Sequence, residues 1–195
     1  MQANKTPILM VMAGPNGSGK STITEEYPVV GEYVNADDIQ RYLKCTPLEA
    51  AQIAEATREY FLSQKTDFTF ETVLSTERNY LLMERAKESG YTVICIFVLT
   101  VNPEINVSRV KSRARNGGHD VPPEKVIERY HRALSLFPRL FIICDELYVY
   151  DNSLERCEGE PSMILKWQYG KLDVMPNTVW TIKDLEALCA GTYLK

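Results

Sequence analysis

Apolar and polar positions along the chain follow two rhythms, and the switches between them mark out its elements. "PILMVMA" (Pro7–Ala13) is an apolar run of strand length, and "GKSTITEEY" after it reads as a short helix stopped by Pro28. "GEYVNADDI" is a short strand ending at two carboxylates, Asp37 and Asp38. In "TPLEAAQIAEATREYFLSQ", Thr46 and Glu49 form a capping box around Pro47. Ala50, Ile53, Ala54, Thr57, Tyr60 and Phe61 then share one helical face. "FTFETVLS" predicts a third strand, with Ser75 or Thr76 capping a helix that ends near Gly90. "YTVICIFVLT" is continuously β-branched and aromatic, as a central strand buried on both faces would be. Asn102-Pro103 opens a basic helix that closes at Gly117-Gly118. Pro122-Pro123 opens another, with Val126, Ile127, Tyr130, Ala133, Leu134 and Phe137 in register, and "ELYVYDN" supplies a last parallel strand.

Strands alternating with helices predict an α/β fold, a parallel sheet wrapped by helices. The tail departs from that rhythm. "MILKWQYGKLDVM" alternates around Gly170 as a β-hairpin does, and "TIKDLEALCA" reads as a short amphipathic helix. With no linker before it, residues 154–195 are expected to be an appendage on one domain whose α/β core is residues 1–153. A chain of 195 residues is long enough for a single sizeable core.

Composition narrows the function classes. The net charge of −4 gives a nucleic-acid partner no global electrostatic support. Cys45, Cys95, Cys144, Cys157 and Cys189 are odd in number and show no C-x-x-C spacing. That pattern points to reduced thiols in a cytoplasmic protein and away from a disulfide framework or zinc site. No apolar stretch is long enough to span a bilayer, and a first strand starting at Pro7 leads us to expect no signal peptide and no domain ahead of it.

The chemistry concentrates in "AGPNGSGKST". Gly14 to Ser21 fits G-x-x-x-x-G-K-[ST], a loop whose backbone N–H groups turn toward one phosphate. Gly14, Pro15, Asn16, Gly17, Ser18, Gly19, Lys20, Ser21 and Thr22 are therefore candidate ATP-binding residues. Lys20 is placed to reach the β- and γ-phosphates, and Ser21 to offer its hydroxyl to Mg²⁺. A strand before the loop and a helix after it are the context this motif needs.

Three further groups bear on where the phosphate goes. Asp37-Asp38 sit at the carboxyl end of a predicted strand, where ligands bind in open α/β sheets. One of the pair can accept a proton from an acceptor hydroxyl, and the other can cap the following helix. Glu71 lies between Phe70 and Val73, where strand packing alone does not explain a charge, with Thr72, Ser75 and Thr76 close by. In "RVKSRARNGGHDVPP", Val107, Val110 and Ala114 would bury one stripe, leaving Arg109 and Arg113 on one flank and Lys111 and Arg115 on the other. Spacing alone does not say which flank faces the phosphates. "RLFIICDE" also has the form of a Walker B strand, in which Asp145-Glu146 would hold Mg²⁺ and activate water. Yet it continues a helical pattern from Pro123, and "ELYVYDN" already provides the strand.

"GPNGSGKST", "VNADDI", "FETVLS", "RNGGHDVP", "IERYHRAL" and "LYVYDNS", in this order, resemble the zeta toxin family of P-loop kinases, whose best-known members phosphorylate UDP-N-acetylglucosamine. The resemblance runs from Pro7 to Ser153. It implies a three-layer P-loop kinase fold with a five-stranded parallel sheet in the order 2-3-1-4-5. It also implies ATP and Mg²⁺ at Lys20 and Ser21, and Asp37 as the base. Glu71, Thr72 and Ser75 would line the acceptor pocket, Arg109 or Arg113 would serve as lid arginines, and Asn152 would lie near the adenine. "GGHD" stands where relatives can carry a second lid arginine, which makes His119 a candidate there. Any antitoxin is expected to be a separate protein. The implied activity is an ATP-dependent kinase acting on a hydroxyl of a small acceptor such as a nucleotide sugar. The alternatives are a nucleoside or antibiotic phosphotransferase, or an ATP-hydrolysing or ATP-gated module that does not need the base Asp37.

Overall fold

The two most apolar runs of the sequence lie side by side in the middle of a sheet. The computed structural model describes residues 5–24, 27–116, 121–154 and 159–193. In chain order these form β1 (Ile8–Ala13), α1 (Lys20–Thr24), β2 (Glu32–Val34), α2 (Ala36–Leu43), α3 (Pro47–Gln64), β3 (Phe68–Thr72), α4 (Glu77–Glu88) and β4 (Thr92–Leu99). There follow α5 (Pro103–Arg115), α6 (Pro123–Leu136), a 3-10 turn (Phe137–Arg139), α7 (Leu140–Ile143), β5 (Glu146–Asp151), β6 (Ser162–Gln168), β7 (Lys171–Val174) and α8 (Ile182–Ala190).

The sheet order is β2-β3-β1-β4-β5-β6-β7, so the first five strands are parallel in the expected order. The hairpin, expected as an appendage, instead continues the sheet: β6 pairs antiparallel with β5, and β7 with β6. Its alternating pattern revealed the hairpin, but nothing local specified which strand it would join. Ala13 lies level with Thr72 on one side and Phe97 on the other, so β1, β3 and β4 open their carboxyl ends together.

Strand alternation sorts β1 between two faces. Leu9, Val11 and Ala13 enter the main core with Phe68, Phe70, Phe97 and residues from α3, α4, α6 and α8. Met10 and Met12 enter a smaller cluster with Ile96, Val98 and Ile23 of α1, where Tyr27, Tyr148 and Tyr150 pack against it. Four cysteines, Cys45, Cys95, Cys144 and Cys189, are free thiols, and Cys157 lies outside the described residues. No helix among the described residues is long and apolar enough to cross a membrane.

Three local expectations need correction. The face of α3 toward the sheet is Ala50, Ala54 and Arg58, whereas Ile53 and Tyr60 are exposed. Arg58 keeps that place by laying its guanidinium over the Phe70 ring, 5.1 Å from the centroid, a contact no hydrophobicity count anticipates. The cap of α2 is Asn35, whose side chain accepts from the Asp37 N–H at 2.8 Å, so neither aspartate is used as the cap. The buried stripe of α5 is Pro103, Asn106 and Val110, which leaves Val107 and Ala114 only half-buried. "RLFIICDE" is helical through Ile143. Its Asp145 accepts from the Val93 N–H at the amino end of β4, the end of the sheet away from the glycine loop. The Walker B alternative therefore fails on position.

Candidate active site

The glycine loop leaves β1 at Ala13 and enters α1 at Lys20, and two distant segments clamp it. Asn106 of α5 is fully buried and donates to the Asn16 carbonyl at 2.7 Å, while Thr100 donates to its Oδ1. Asn152, just after β5, donates to the Ser18 carbonyl at 2.8 Å. These clamps explain two of the glycines. A Cβ on Gly17 would come within 2.6 Å of the Asn106 carbonyl oxygen, and one on Gly19 within 2.0 Å of Asn152 Nδ2. Both also have positive φ, 76° and 89°. The Ser18 hydroxyl is buried with no hydrogen-bond partner among the described residues.

Lys20 is buried, and its ammonium curls back onto the loop, donating to the carbonyls of Gly14 at 2.9 Å and Pro15 at 3.2 Å. Glu71 Oε1 stands 3.6 Å away. Burial pushes the Lys20 pKa down, Glu71 pulls it back up, and Arg113 adds to the lowering. The other oxygen of Glu71 accepts from the Tyr33 hydroxyl at 3.2 Å and from Asn35 Nδ2 at 3.3 Å. Burial pushes the Tyr33 phenol up to about 12, which keeps it a donor at neutral pH. Glu71 thus connects three elements: α1 through Lys20, β2 through Tyr33, and the cap of α2 through Asn35.

Around this carboxylate opens a cleft of about 400 Å³. Asn16, Gly17 and Lys20 form its floor, and Asp37, Glu71 and Thr72 one wall. Arg113, Lys125 and Arg129 bring positive charge to the other side. Asp37 is exposed in this cleft, whereas Asp38 lines a different cavity and pairs with Arg41 at 3.1 Å. The adjacent carboxylates are thereby separated by the turn of α2. A second cavity of about 390 Å³ lies across the loop, bounded by Gly19, Thr22, Ser108, Arg109, Ser112 and Asn152.

Arg109 and Arg113 do not act at one place, although they share a helix flank. Arg109 donates to the backbone carbonyls of Asn152 at 2.6 Å and Leu154 at 2.9 Å, on the side of the second cavity. Arg113 lies one turn further, about 6 Å along the axis, and lines the main cleft. Thr72 lines the cleft too, but its hydroxyl oxygen already accepts from Leu74 N at 2.9 Å and Asn79 Nδ2 at 2.7 Å. Ser75 lies past the end of β3 and is not among the cleft's lining residues. Ser21 is exposed in the first turn of α1, and His119 falls outside the described residues.

Arg129 was not foreseen. It reaches from α6 to Asn16 Oδ1 at 3.3 Å, across 113 positions of sequence. Asn35 and Tyr33 were missed for the same reason, since Glu71, which both contact, lies 36 and 38 positions away, and Lys125, one turn before Arg129, lines the same cleft. Asn106 did leave a signal, a polar residue four positions before the apolar Val110 on the same helical stripe.

A glycine loop at the carboxyl end of a central parallel strand, faced by cations from two helices, is the phosphate-binding arrangement of a P-loop fold. The zeta toxin family profile matches residues 25–155, and the chain belongs to that family. An uncharacterized protein of Haemophilus influenzae is 29% identical over 123 residues, covering 60% of this chain and 88% of the relative. Among solved structures, the AvrRxo1-ORF1:AvrRxo1-ORF2 complex with sulphate ions superposes with a TM-score of 0.71 at 18% identity, covering 96% of this chain and 65% of that one. The same complex with ATP gives 0.66 at 19%, covering 88% and 61%. The PezAT toxin–antitoxin system of Streptococcus pneumoniae gives 0.58 at 16%, covering 97% and 86%. This chain therefore spans less than two thirds of the AvrRxo1 chains it resembles.

Proposed function

We propose that the protein is an ATP-dependent kinase that phosphorylates a hydroxyl of a small acceptor, with a nucleotide sugar such as UDP-N-acetylglucosamine as the leading candidate. The observation that carries this reading is the main cleft, which gathers Asp37 and Glu71 with Lys20 of the loop and with Arg113 of α5. A nucleoside would occupy the second cavity near Asn152 and Thr22, its phosphates would run along the loop, and the acceptor would enter the main cleft. Lys20 and the loop N–H groups hold the phosphates, Asp37 takes the proton from the attacking hydroxyl, and Arg113 faces the charge that develops on the transferred group. Glu71 and Thr72 orient the acceptor. Mg²⁺ would be held by the Ser21 hydroxyl, exposed in the first turn of α1, and would neutralise phosphate charge. The toxin–antitoxin likeness supports a separate antitoxin protein as a partner.

The test is transfer from γ-labelled ATP to a metabolite panel that includes nucleotide sugars, run with the wild type and Asp37→Asn. The expected result is a labelled acceptor with the wild type. Asp37→Asn should keep its ATP affinity while losing about 10²–10⁴-fold in transfer, the usual span for removing a general base. Full transfer by Asp37→Asn would falsify the mechanism, and loss of ATP binding would make Asp37 a metal-site residue instead.

A further inference from the structure

The sheet ends at β7, which pairs with β6 and with no other strand among the described residues. We propose that this edge is an interface with a second copy of the chain, the two β7 strands pairing antiparallel about a two-fold axis at Leu172.

The hairpin geometry says which groups are available. The β6–β7 register runs Gln168↔Lys171, Trp167↔Leu172, Lys166↔Asp173 and Leu165↔Val174, closed by the two-residue turn Tyr169-Gly170, both at positive φ. Such a turn makes Gln168↔Lys171 a hydrogen-bonded pair, and bonding then alternates along the ladder. The same parity appears further on, where Met175 N donates to the Ile164 carbonyl at 2.8 Å. Residues 171, 173 and 175 thus direct their backbone groups inward to β6, and Leu172 and Val174 direct theirs to the open edge.

Two copies can therefore pair only with outward residues facing outward residues, and charge selects among those registers. With Leu172 opposite its own copy, Lys171 of each chain faces Asp173 of the other. Moving the axis to residue 173 would set Asp173 against Asp173, and moving it to residue 171 would set Lys171 against Lys171. Within one chain the two side chains already share a face, with a 3.0 Å ion pair. Only the Leu172-centred register turns this charged pair into four complementary charges across the joint.

The opposite face supplies the apolar component. Leu172 is 38% exposed, Val174 43% and Ile182 56%, beside a groove of about 200 Å³ floored by Leu185 and Cys189. Pairing at Leu172 brings the two grooves edge to edge, and Val174 meets Gly170 of the other copy, which has no side chain to obstruct it. A joint built on so short a strand is small, so the association is weak, with a Kd of about 10–100 µM.

Sedimentation of the full chain between about 1 and 300 µM should show a monomer–dimer equilibrium. Asp173→Lys and Lys171→Asp, each turning two attractions into two repulsions, should each weaken the dimer about five- to ten-fold. The double swap Lys171→Asp/Asp173→Lys should restore it. Val174→Pro removes only an outward N–H, so it should abolish dimerisation while melting and circular dichroism stay close to wild type. A wild type that stays monomeric throughout overturns the proposal. So does a dimer indifferent to the single reversals, or one that the double swap fails to restore.

Discussion

The two ends of the parallel sheet carry the same kinds of side chain and use them differently. At the amino end, Asp67 accepts from the Ile8 N–H at 2.8 Å and pairs with Lys5, and Asp145 accepts from the Val93 N–H at 2.9 Å and pairs with Lys87. Each aspartate satisfies the first free donor of a neighbouring strand, with a lysine balancing its charge. At the carboxyl end, Asp37 and Glu71 face an open cleft, and Lys20 is held by carbonyls and by Glu71 at 3.6 Å. Carboxylates at one end close the sheet, and those at the other line a cleft. A carboxylate beside a strand therefore says little until its end of the sheet is known.

Mutations at the carboxyl end should cost catalysis. Lys20→Ala is expected to lower ATP binding or turnover by at least about ten-fold, roughly 1.4 kcal/mol, because its ammonium is the one seated on the loop itself, against the Gly14 and Pro15 carbonyls. Isothermal titration and steady-state assays check this, and unchanged values in both would remove the loop from the mechanism.

Arg113→Ala should reduce kcat by about ten-fold with little change in KM for ATP, as expected for a group that acts on transition-state charge. Arg109→Ala should act instead through the Asn152–Leu154 backbone it holds, raising KM for ATP or lowering the melting temperature. Lys111→Ala and Arg115→Ala should be nearly silent. A larger kcat loss at Arg109 than at Arg113 would reverse the assignment of the two cavities.

Mutations at the amino end should cost stability and leave transfer untouched. Asp145→Ala removes the acceptor of Val93 N–H and the partner of Lys87, at about 1–2 kcal/mol, with kcat within about two-fold of wild type. Chemical denaturation and the kinase assay read the two halves separately. A hundred-fold kcat loss here would revive the Walker B alternative.

The smallest effect concerns acid. Burial pushes the Asp67 carboxyl up, but the Lys5 ammonium and the Ile8 N–H hold it, on balance, below its ordinary value. Its contribution to stability is therefore present above the ordinary carboxylate range and lost as pH falls through the lower folded value. Asp67→Asn should flatten the stability curve in that acid range by a few tenths of a kcal/mol. Parallel wild-type and mutant curves there would show that the lysine pair contributes nothing.

What the sequence revealed and what it hid divides along the same physical line. The loop could be read directly, because the motif is local: its glycines and the following Lys20-Ser21 are consecutive. The parallel order was legible through the family likeness, and the helix starts at Thr46 and Asn102 through their short spacing. What the clamps hold was hidden, because Asn106, Asn152 and Arg129 find their partners 90, 134 and 113 positions away. The α3 face was misread because an arginine stacked on Phe70 belongs to the buried stripe with Ala50 and Ala54, while the apolar Ile53 and Tyr60 turn outward. Arg109 and Arg113 were paired because a helical wheel shows direction and discards distance along the axis.

Glu71 has a consequence for the order in which ligands arrive. Its one oxygen stands 3.6 Å from Lys20 and its other holds Asn35, the cap of the helix that carries Asp37. On the proposed reading, phosphates entering the loop draw the lysine away and leave that carboxylate oxygen available to an incoming hydroxyl. Nucleotide and acceptor would then assist each other, and linkage makes the assistance equal in both directions. Initial-velocity plots would intersect rather than run parallel, with the acceptor's apparent dissociation constant falling as ATP rises. An empty site would hold its acceptor poorly, so the same ion pair that steadies the resting protein would also discourage an acceptor from binding before the nucleotide.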